Sequence, residues 1–383
     1  MRLLKSLAAV ALAGTALAAS IPTFTQAQID SGEAIRQLGK IAYDNAMARV
    51  AKSTSGCTKD KVKIRKEWRN MTLPDRKGYQ EAVTCLMNKP TRYKGIAGAK
   101  SAWDDYGVLH YYETPFVHNN ALFFPWHRHY NWVLEEDLKN LCGYTGGFPY
   151  WEWGLDCGKI DKSPLWDGSE YSLGGNGEYV ARKSPAMAGA KAGTGGGCVK
   201  TGPFSKVTVN LGPTTFGGNN PLRHNPRCLK RDLNDDICTK WASLRRTTDL
   251  ILFASSMDVF QSGSQGEGVR GDGGKDFSMG VHTGGHYAIS GDPGSDFHFS
   301  ALEPGFYLHH GNMDRMHFIW QNLDWEKRGK EISGTGTMFN SPPSPVSKLG
   351  DNMGFEPLNR NITIGAAMDT VGGTPLCYVY EPW

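Results

Sequence analysis

The sequence predicts a mainly α-helical fold wrapped by long loops, and three features lead to this prediction. Apolar residues recur at helical spacing in several separate segments. The stretches between these segments are long and rich in glycine, above all residues 167–220, which show little periodicity. Eight cysteines, an even number, are typical of a secreted chain in which disulfides brace such loops.

The N-terminus is expected to be a secretory signal peptide covering residues 1–18. Arg2 and Lys5 precede a short apolar run, and the small residues Ala16 and Ala18 suit a cleavage site. The run is too short to cross a membrane, and no second one follows it. We therefore expect a secreted, extracellular protein.

The charge balance argues against polyanionic partners. The formal net charge is only +4, and no cluster of Lys and Arg resembles a nucleic-acid patch. We expect neither a nucleic-acid nor a membrane partner, and the sequence leaves the oligomeric state open. Asn70 and Asn361 each begin an Asn-x-Thr sequon and are predicted glycosylation sites.

Two helices are predicted before the first histidine-rich stretch. Residues 33–52 carry an apolar face at helical spacing. A second helix is expected to begin with a capping box at Thr72 and to end near Met87. The best single prediction for a disulfide joins Cys57 to Cys85, which would tie the N-terminal segment to this second helix.

Three histidines then stand among aromatic residues and prolines. His110 and His118 are eight residues apart, roughly 12 Å along one helix, whereas two nitrogens on one metal lie about 3–3.5 Å apart. Pro115 is expected to end the first helix. His118 would then return on a loop, and His127 would lie near the start of a second helix. This path lets three imidazoles meet at one metal.

A second group of histidines follows the glycine-rich stretch and a predicted long helix over residues 241–260. His282 and His286 lie one helical turn apart, and the two glycines between them indicate close packing. A further helix carries His310, and Asp314 follows one turn later. Its carboxylate could orient the metal ligands without binding the metal itself. Each group therefore supplies three imidazoles.

The ligand types indicate the metal. Imidazole suits copper, zinc, iron or nickel, whereas calcium and magnesium prefer oxygen ligands. Dizinc hydrolases usually need a bridging carboxylate, which neither group offers. Two coppers held by neutral ligands suit dioxygen chemistry. Because the two groups must meet, residues 19–383 are expected to form a single domain.

These residues resemble the signatures of the tyrosinase and catechol oxidase (polyphenol oxidase) family of type-3 dicopper proteins, in a short secreted form similar to fungal members. The first signature is carried by His118, Phe123, Trp126, His127, Arg128 and Glu135. The second is carried by Glu303, Pro304, Phe306, His310 and Asp314. Glu303 stands where the family normally has Asp, and Asn131 replaces an aliphatic residue.

The resemblance implies an antiparallel four-helix bundle that holds two copper ions. By this pattern His110, His118 and His127 bind the first copper. The second copper is bound by His282, His286 and His310, with His309 as a neighbour of the site rather than a ligand. The implied reaction is the oxidation of o-diphenols to o-quinones by O2, and we expect o-aminophenols as further substrates.

Three further positions are expected to orient or gate the phenol. Thr283 and Tyr287 follow the first two ligands of the second copper, and Phe297 matches a gate residue over the first copper. An aromatic gate, and Thr where phenol-hydroxylating members often have Asn, predict stronger oxidation of catechols than of tyrosine. No acid can be assigned to orient a water; the nearest are Glu267, Asp272 and Asp276.

Three other functions remain open at this stage. One is a tyrosinase with substantial monophenol monooxygenase activity. Another, from a different class, is a haemocyanin-like oxygen carrier, which the ligands alone do not exclude. The third is a dizinc hydrolase, which elemental analysis would distinguish.

Overall fold

The computed structural model describes residues 21–181, 190–214, 220–266 and 279–383, and these residues confirm the mainly helical prediction. The predicted signal peptide lies outside the described residues, as do Glu267, Asp272 and Asp276. No helix in the described part of the chain is long and apolar enough to cross a bilayer.

The helices carry most of the regular structure. In chain order they are α1 (Gln26–Asp30), α2 (Glu33–Lys52), α3 (Leu73–Met87), α4 (Ala102–Val117), α5 (Phe123–Cys142), α6 (Asp235–Trp241), α7 (Leu244–Phe253), α8 (Met257–Gln265), α9 (Gly280–Ile289), α10 (Gly305–Leu323) and α11 (Trp325–Arg328).

The strands are short and pair two by two. They are β1 (Lys63–Arg65), β2 (Gly177–Tyr179), β3 (Gly196–Val199), β4 (Thr208–Val209), β5 (Arg227–Cys228), β6 (Asn352–Met353), β7 (Ile362–Thr363) and β8 (Tyr378–Tyr380). β1 and β8 run parallel, with Arg65 opposite Tyr380, and the pairs β2–β3, β4–β5 and β6–β7 are antiparallel.

The two N-terminal helix predictions are confirmed. The helix over 33–52 has the predicted bounds, and its buried face is formed by Ala34, Ile35, Leu38 and Ala42. The next helix begins at Leu73 because the Thr72 hydroxyl accepts a hydrogen bond from the Asp75 N–H at 3.2 Å, which satisfies a free donor of the first turn.

The predicted break at Pro115 is wrong, because α4 continues through this residue to Val117. Proline lacks the N–H that would bond the Tyr111 carbonyl. One residue earlier, the Thr114 hydroxyl bonds the His110 carbonyl, a contact that allows a helix to bend without ending. His118 directly follows α4 in extended conformation and begins the short connection to α5, as predicted for a loop residue.

The single long helix predicted over residues 241–260 is also wrong. The chain forms α6, α7 and α8 in succession instead. Ser243 and Ser256 cap the second and third helices, since their hydroxyls accept hydrogen bonds from the N–H groups of Arg246 and Val259, each at 3.4 Å. A serine that accepts hydrogen bonds from these N–H groups favours the start of a new helix over continuation of the preceding one.

The histidine-bearing helices are α4, α5, α9 and α10. α5 and α10 pack directly on each other, α4 packs beside α5, and α9 packs on α10, which gives the helical bundle around the site. α10 is the central element, because all of its residues from Gly305 to Leu323 are buried. α2 covers its outer side and α3 covers α5.

The predicted Cys57–Cys85 disulfide is wrong. Cys57 pairs with Cys377, and Cys85 pairs with Cys142. The parallel pairing of β1 with β8 brings the segment after Cys57 to the C-terminus, and the packing of α3 on α5 brings Cys85 to the end of α5. The other disulfides are Cys157–Cys238 and Cys198–Cys228. The last of these braces the glycine-rich stretch, as predicted for its loops.

Candidate metal centre

The first three histidines converge at the junction of α4 and α5. His110 lies on α4, His118 directly follows it, and His127 lies on the first turns of α5. The ring centroids are separated by 5.3 Å between His110 and His118 and by 5.0 Å between His118 and His127. One nitrogen of each ring lies within 4.8 Å of the others, which is close enough for a shared metal ion.

Backbone carbonyls fix the orientation of these rings. The Nδ1 atoms of His110, His118 and His127 lie 2.8, 3.0 and 2.8 Å from the carbonyls of His298, Thr114 and Phe123. A carbonyl only accepts hydrogen bonds, so each Nδ1 carries the proton and each Nε2 keeps its lone pair. Within the described residues the buried Nε2 atoms of His110 and His127 have no hydrogen-bond partner.

The second group is built by α9 and α10. His282 and His286 lie one turn apart on α9, and His310 faces them from α10. The Nε2 of His286 lies 3.0 Å from that of His282 and 3.2 Å from that of His310. These separations match those of about 3–3.5 Å expected for nitrogens on one ion. His309 lies within the same group of possible ligands.

The two glycines of α9 make this approach possible, as the sequence indicated. A Cβ at Gly284 would lie 2.6 Å from the Cβ of Trp241 on α6, and a Cβ at Gly285 would overlap the ring of His309. Each glycine lowers the intrinsic stability of the helix. The absence of a side chain, however, lets His309 pack against α9, with its ring centroid 4.4 Å from that of His286.

The two groups adjoin. The rings of His127 and His310, one from each group, are stacked with their centroids 4.3 Å apart and an interplanar angle of 11°. His118 and His282 are also neighbours, at 6.0 Å between centroids. The six histidines predicted from the sequence therefore share one site between four helices.

Burial keeps these imidazoles neutral. It lowers the pKa of His110 to about 4 and that of His286 to about 3. Burial first, and then neighbouring histidines, hold the pKa values of the other four well below the ordinary value. A neutral imidazole with a free Nε2 lone pair is the form that binds a transition metal. The donor set therefore fits copper chemically.

A cavity opens beside the histidines. Phe297 stands at its rim, 46% exposed, with its ring centroid 4.8 Å from that of His118. The predicted positions Thr283 and Tyr287 also line it. Gln265, at the end of α8, lines it as well but was not predicted, because nothing in the local sequence marks a residue so far from the histidines.

Comparison with known proteins agrees with this geometry. The model of the common central domain of tyrosinase matches residues 100–323. The chain belongs to the tyrosinase family. Tyrosinase P of Aspergillus terreus is 32% identical over 344 residues, which cover 84% of this chain and 92% of that protein.

Other members of the family show the same likeness. The N-acetyl-6-hydroxytryptophan oxidase of Emericella nidulans is 33% identical, over 85% of this chain and 94% of its own. The solved structure of a polyphenol oxidase from Thermothelomyces thermophila has a TM-score of 0.82 at 36% identity, and the match covers 90% of this chain and 97% of that one.

The tyrosinase-family signatures meet in a buried charge network behind the histidines. Asp314 makes no hydrogen bond to an imidazole in the described residues; its carboxylate accepts instead from Arg128, Arg65, Tyr378 and Tyr380. Arg65 also donates to Glu135 at 2.6 Å. Although burial alone would raise it, the two guanidinium groups hold the pKa of Asp314 below the ordinary value. The network joins α5, α10 and both ends of the chain.

The two departures from the family signatures have structural partners. Glu303 forms a buried bidentate ion pair with Arg231, with contacts of 2.6 and 3.1 Å, and its Oε1 accepts from the N–H of Gly305 at the start of α10. Asn131 donates to the Tyr307 carbonyl at 3.2 Å, which links α5 to α10. Both residues therefore support the position of the helix that carries His310.

Proposed function

We propose that this tyrosinase-family protein is a secreted copper oxidase that oxidises o-diphenols to o-quinones, and also o-aminophenols to o-quinone imines. Two molecules of diphenol and one O2 would give two molecules of o-quinone and two of water. The observation that carries the proposal is the convergence of two sets of three neutral imidazoles in one buried site beside the cavity.

His110, His118 and His127 would hold one copper, and His282, His286 and His310 the second. Copper bound there supplies the redox chemistry that O2 reduction requires. The protein contributes fixed, unprotonated Nε2 donors, since each imidazole of the first set is oriented by a backbone carbonyl. His309 would contribute packing against α9 rather than a ligand bond.

The cavity supports a small aromatic substrate. Phe297 offers an aromatic ring beside His118, and Tyr287 also lines the cavity. Burial, and next the charge of Asp296, raises the pKa of Tyr287, so this phenol stays protonated. The relative from Emericella nidulans is named as an oxidase of a hydroxylated tryptophan, which is consistent with such a substrate class.

Two features favour diphenols over monophenols. The Thr283 hydroxyl donates to the Gln265 carbonyl at 3.4 Å, so it is engaged with the backbone rather than with a substrate. Asp296 is the acidic residue among the described residues lining the cavity, and its carboxylate accepts from the N–H groups of Thr214, His298 and Phe299. Neither group is a free base for a phenol proton.

Kinetics with the copper-loaded protein test this function. We expect rapid O2 consumption with 4-methylcatechol and o-aminophenol, and a rate with L-tyrosine at least tenfold below that with L-DOPA. Comparable rates with L-tyrosine and L-DOPA would instead indicate a monophenol monooxygenase. Reversible O2 binding without catechol turnover would instead indicate an oxygen carrier.

Secretion is part of the proposal. Four disulfides and the exposed sequon residues Asn70 and Asn361 support an oxidising compartment. Expression of the full chain in a fungal host should release protein into the medium, and N-terminal sequencing and glycosidase treatment would test the cleavage site and the two sequons.

A further inference from the structure

Gln265 is the last residue of α8 and is held at the wall of the cavity. Gly266, with a positive φ of 96°, ends the helix directly after it. Gln265 is only 9% exposed, and it lines the cavity together with His118 and His282. It therefore lies where a ligand between the two sets of histidines would be contacted.

Two hydrogen bonds clamp this residue between the two histidine segments. The N–H of Asn119, the residue after His118, donates to the Gln265 Oε1 at 2.7 Å. The hydroxyl of Thr283, the residue after His282, donates to the Gln265 carbonyl at 3.4 Å. Asn119 itself has a positive φ of 46°, a conformation that few residues other than glycine adopt.

The hydrogen bond from Asn119 fixes the orientation of the Gln265 amide. Because Oε1 accepts from a backbone N–H, the two groups of the amide cannot be exchanged, and Nε2 is the remaining end. Within the described residues this buried Nε2 has no hydrogen-bond partner. A buried donor without an acceptor is costly, so its presence at a ligand cavity indicates that a ligand supplies the acceptor.

We propose that the Gln265 amide donates a hydrogen bond to an oxygen of the bound aromatic ligand and so positions it beside the histidines. This inference rests on the proposed function, which it deepens. The amide is permanently a donor and cannot take a proton. The site therefore selects aromatic ligands that present an acceptor oxygen, such as o-diphenols or aromatic carboxylates.

Two substitutions separate this role from simpler ones. Gln265→Met keeps the length of the side chain but removes both amide groups. Gln265→Glu keeps the oxygen that accepts from Asn119 and replaces only the Nε2 donor with an acceptor. Gln261→Glu, one turn earlier on α8, is a matched control, because Gln261 is equally buried but does not line the cavity.

The decisive measurement is the dissociation constant of benzoate by calorimetry with the copper-loaded protein. We expect about tenfold weaker binding for Gln265→Met, the value of one hydrogen bond, and still weaker binding for Gln265→Glu. Binding to Gln261→Glu should stay within about twofold of wild type. With 4-methylcatechol, Gln265→Met should raise KM by a similar factor and change kcat by less than about threefold.

Three outcomes would overturn the inference. If only Gln265→Met weakens benzoate binding, the residue merely holds Asn119. If only Gln265→Glu weakens it, charge repulsion is sufficient. If neither does, the amide does not contact the ligand. Because benzoate binding needs no turnover, these results stay distinct from a failure of wild-type protein to oxidise catechols, which would refute the proposed function instead.

Discussion

At the level of single residues, the two sets of histidines are held in different ways. In the first set each Nδ1 is hydrogen-bonded to a backbone carbonyl. In the second set the Nδ1 of His310 is buried and has no partner among the described residues. Packing holds this ring instead, with Phe306 at 4.2 Å and His127 at 4.3 Å between centroids. The orientation of His310 therefore depends on packing against its neighbours.

His309 and His310 give the sharpest test of the ligand assignment, since both belong to the same group of possible ligands. His310→Gln should reduce bound copper from two ions per chain to about one and lower catechol oxidation at least about 100-fold. His309→Gln should keep two coppers, because the proposed assignment gives its ring a packing contact with His286 and no metal bond. Elemental analysis and oxygen-electrode assays measure both effects.

His224 provides the control, because it is an exposed histidine outside both groups. His224→Gln should retain full copper content and activity. Loss of one copper in His309→Gln, with a circular dichroism spectrum like that of wild type, would show that the assignment to His310 is incorrect.

At the level of elements, the buried charge network decides how the histidine-bearing helices meet. Asp314 on α10 binds Arg128 on α5, and it also binds Arg65 on β1 and Tyr380 on β8. The guanidinium of Arg65 further stacks over Tyr378, 3.5 Å from the ring centroid. One carboxylate thus links both helices to the paired strands at the ends of the chain.

Asp314→Asn should destabilise the protein strongly, by about 3–5 kcal/mol, because it leaves the buried Arg128 without its counter-charge and leaves Arg65 with Glu135 alone. Denaturant unfolding of the copper-free protein measures the change without interference from metal binding. Asp44→Asn, which removes an exposed partner of Lys40 on α2, should change the free energy of unfolding little by comparison.

The cost of Asp314→Asn should also depend on pH. Burial alone would raise the pKa of Asp314, but Arg128 and Arg65 outweigh this effect, so the pKa of Asp314 in the folded protein lies below its ordinary value of 3.8. Its carboxylate therefore stabilises the fold above that value, and this stabilisation is lost as the pH falls through the lower folded pKa. The difference between wild type and variant should be constant near pH 7 and shrink below about pH 4. A difference that is independent of pH would contradict this account.

At the level of the whole molecule, the two ends of the described chain are fastened to each other. β1 pairs with β8, and the Cys57–Cys377 disulfide closes a sequence separation of 320 residues beside them. The Cys198–Cys228 disulfide closes only 30. Chain-entropy arguments give the longer closure the larger effect on the unfolded state.

Removal of the two disulfides should therefore have unequal effects. Cys57→Ala with Cys377→Ala should lower the free energy of unfolding by about 2 kcal/mol more than Cys198→Ala with Cys228→Ala. Thermal and denaturant unfolding of the two double variants, compared at equal copper content, test this expectation. Equal losses would indicate that residual structure in the unfolded chain already holds the ends together.

The sequence by itself determined the helical class, the bounds of α2 and the six histidines of the site. These depend on local spacing and capping, and on two signatures that are contiguous in the chain. It did not determine the partner of Cys57, because the pairing of β1 with β8 joins distant segments. The helix through Pro115 and the breaks in residues 241–260 were also missed, because local hydrogen bonds of Thr114, Ser243 and Ser256 accompany them and hydrophobic periodicity does not reveal such bonds.

Only the tertiary structure could identify Gln265 and the roles of Asp314 and Arg65. Gln265 acquires its place from Asn119, which is 146 residues away in the chain, and Arg65 reaches Asp314 across 249 residues. No sequence periodicity encodes contacts at such separations. The histidine nitrogens are supplied by the sequence. Their convergence at one site, and the position of the Gln265 amide beside that site, result from the packing of the fold.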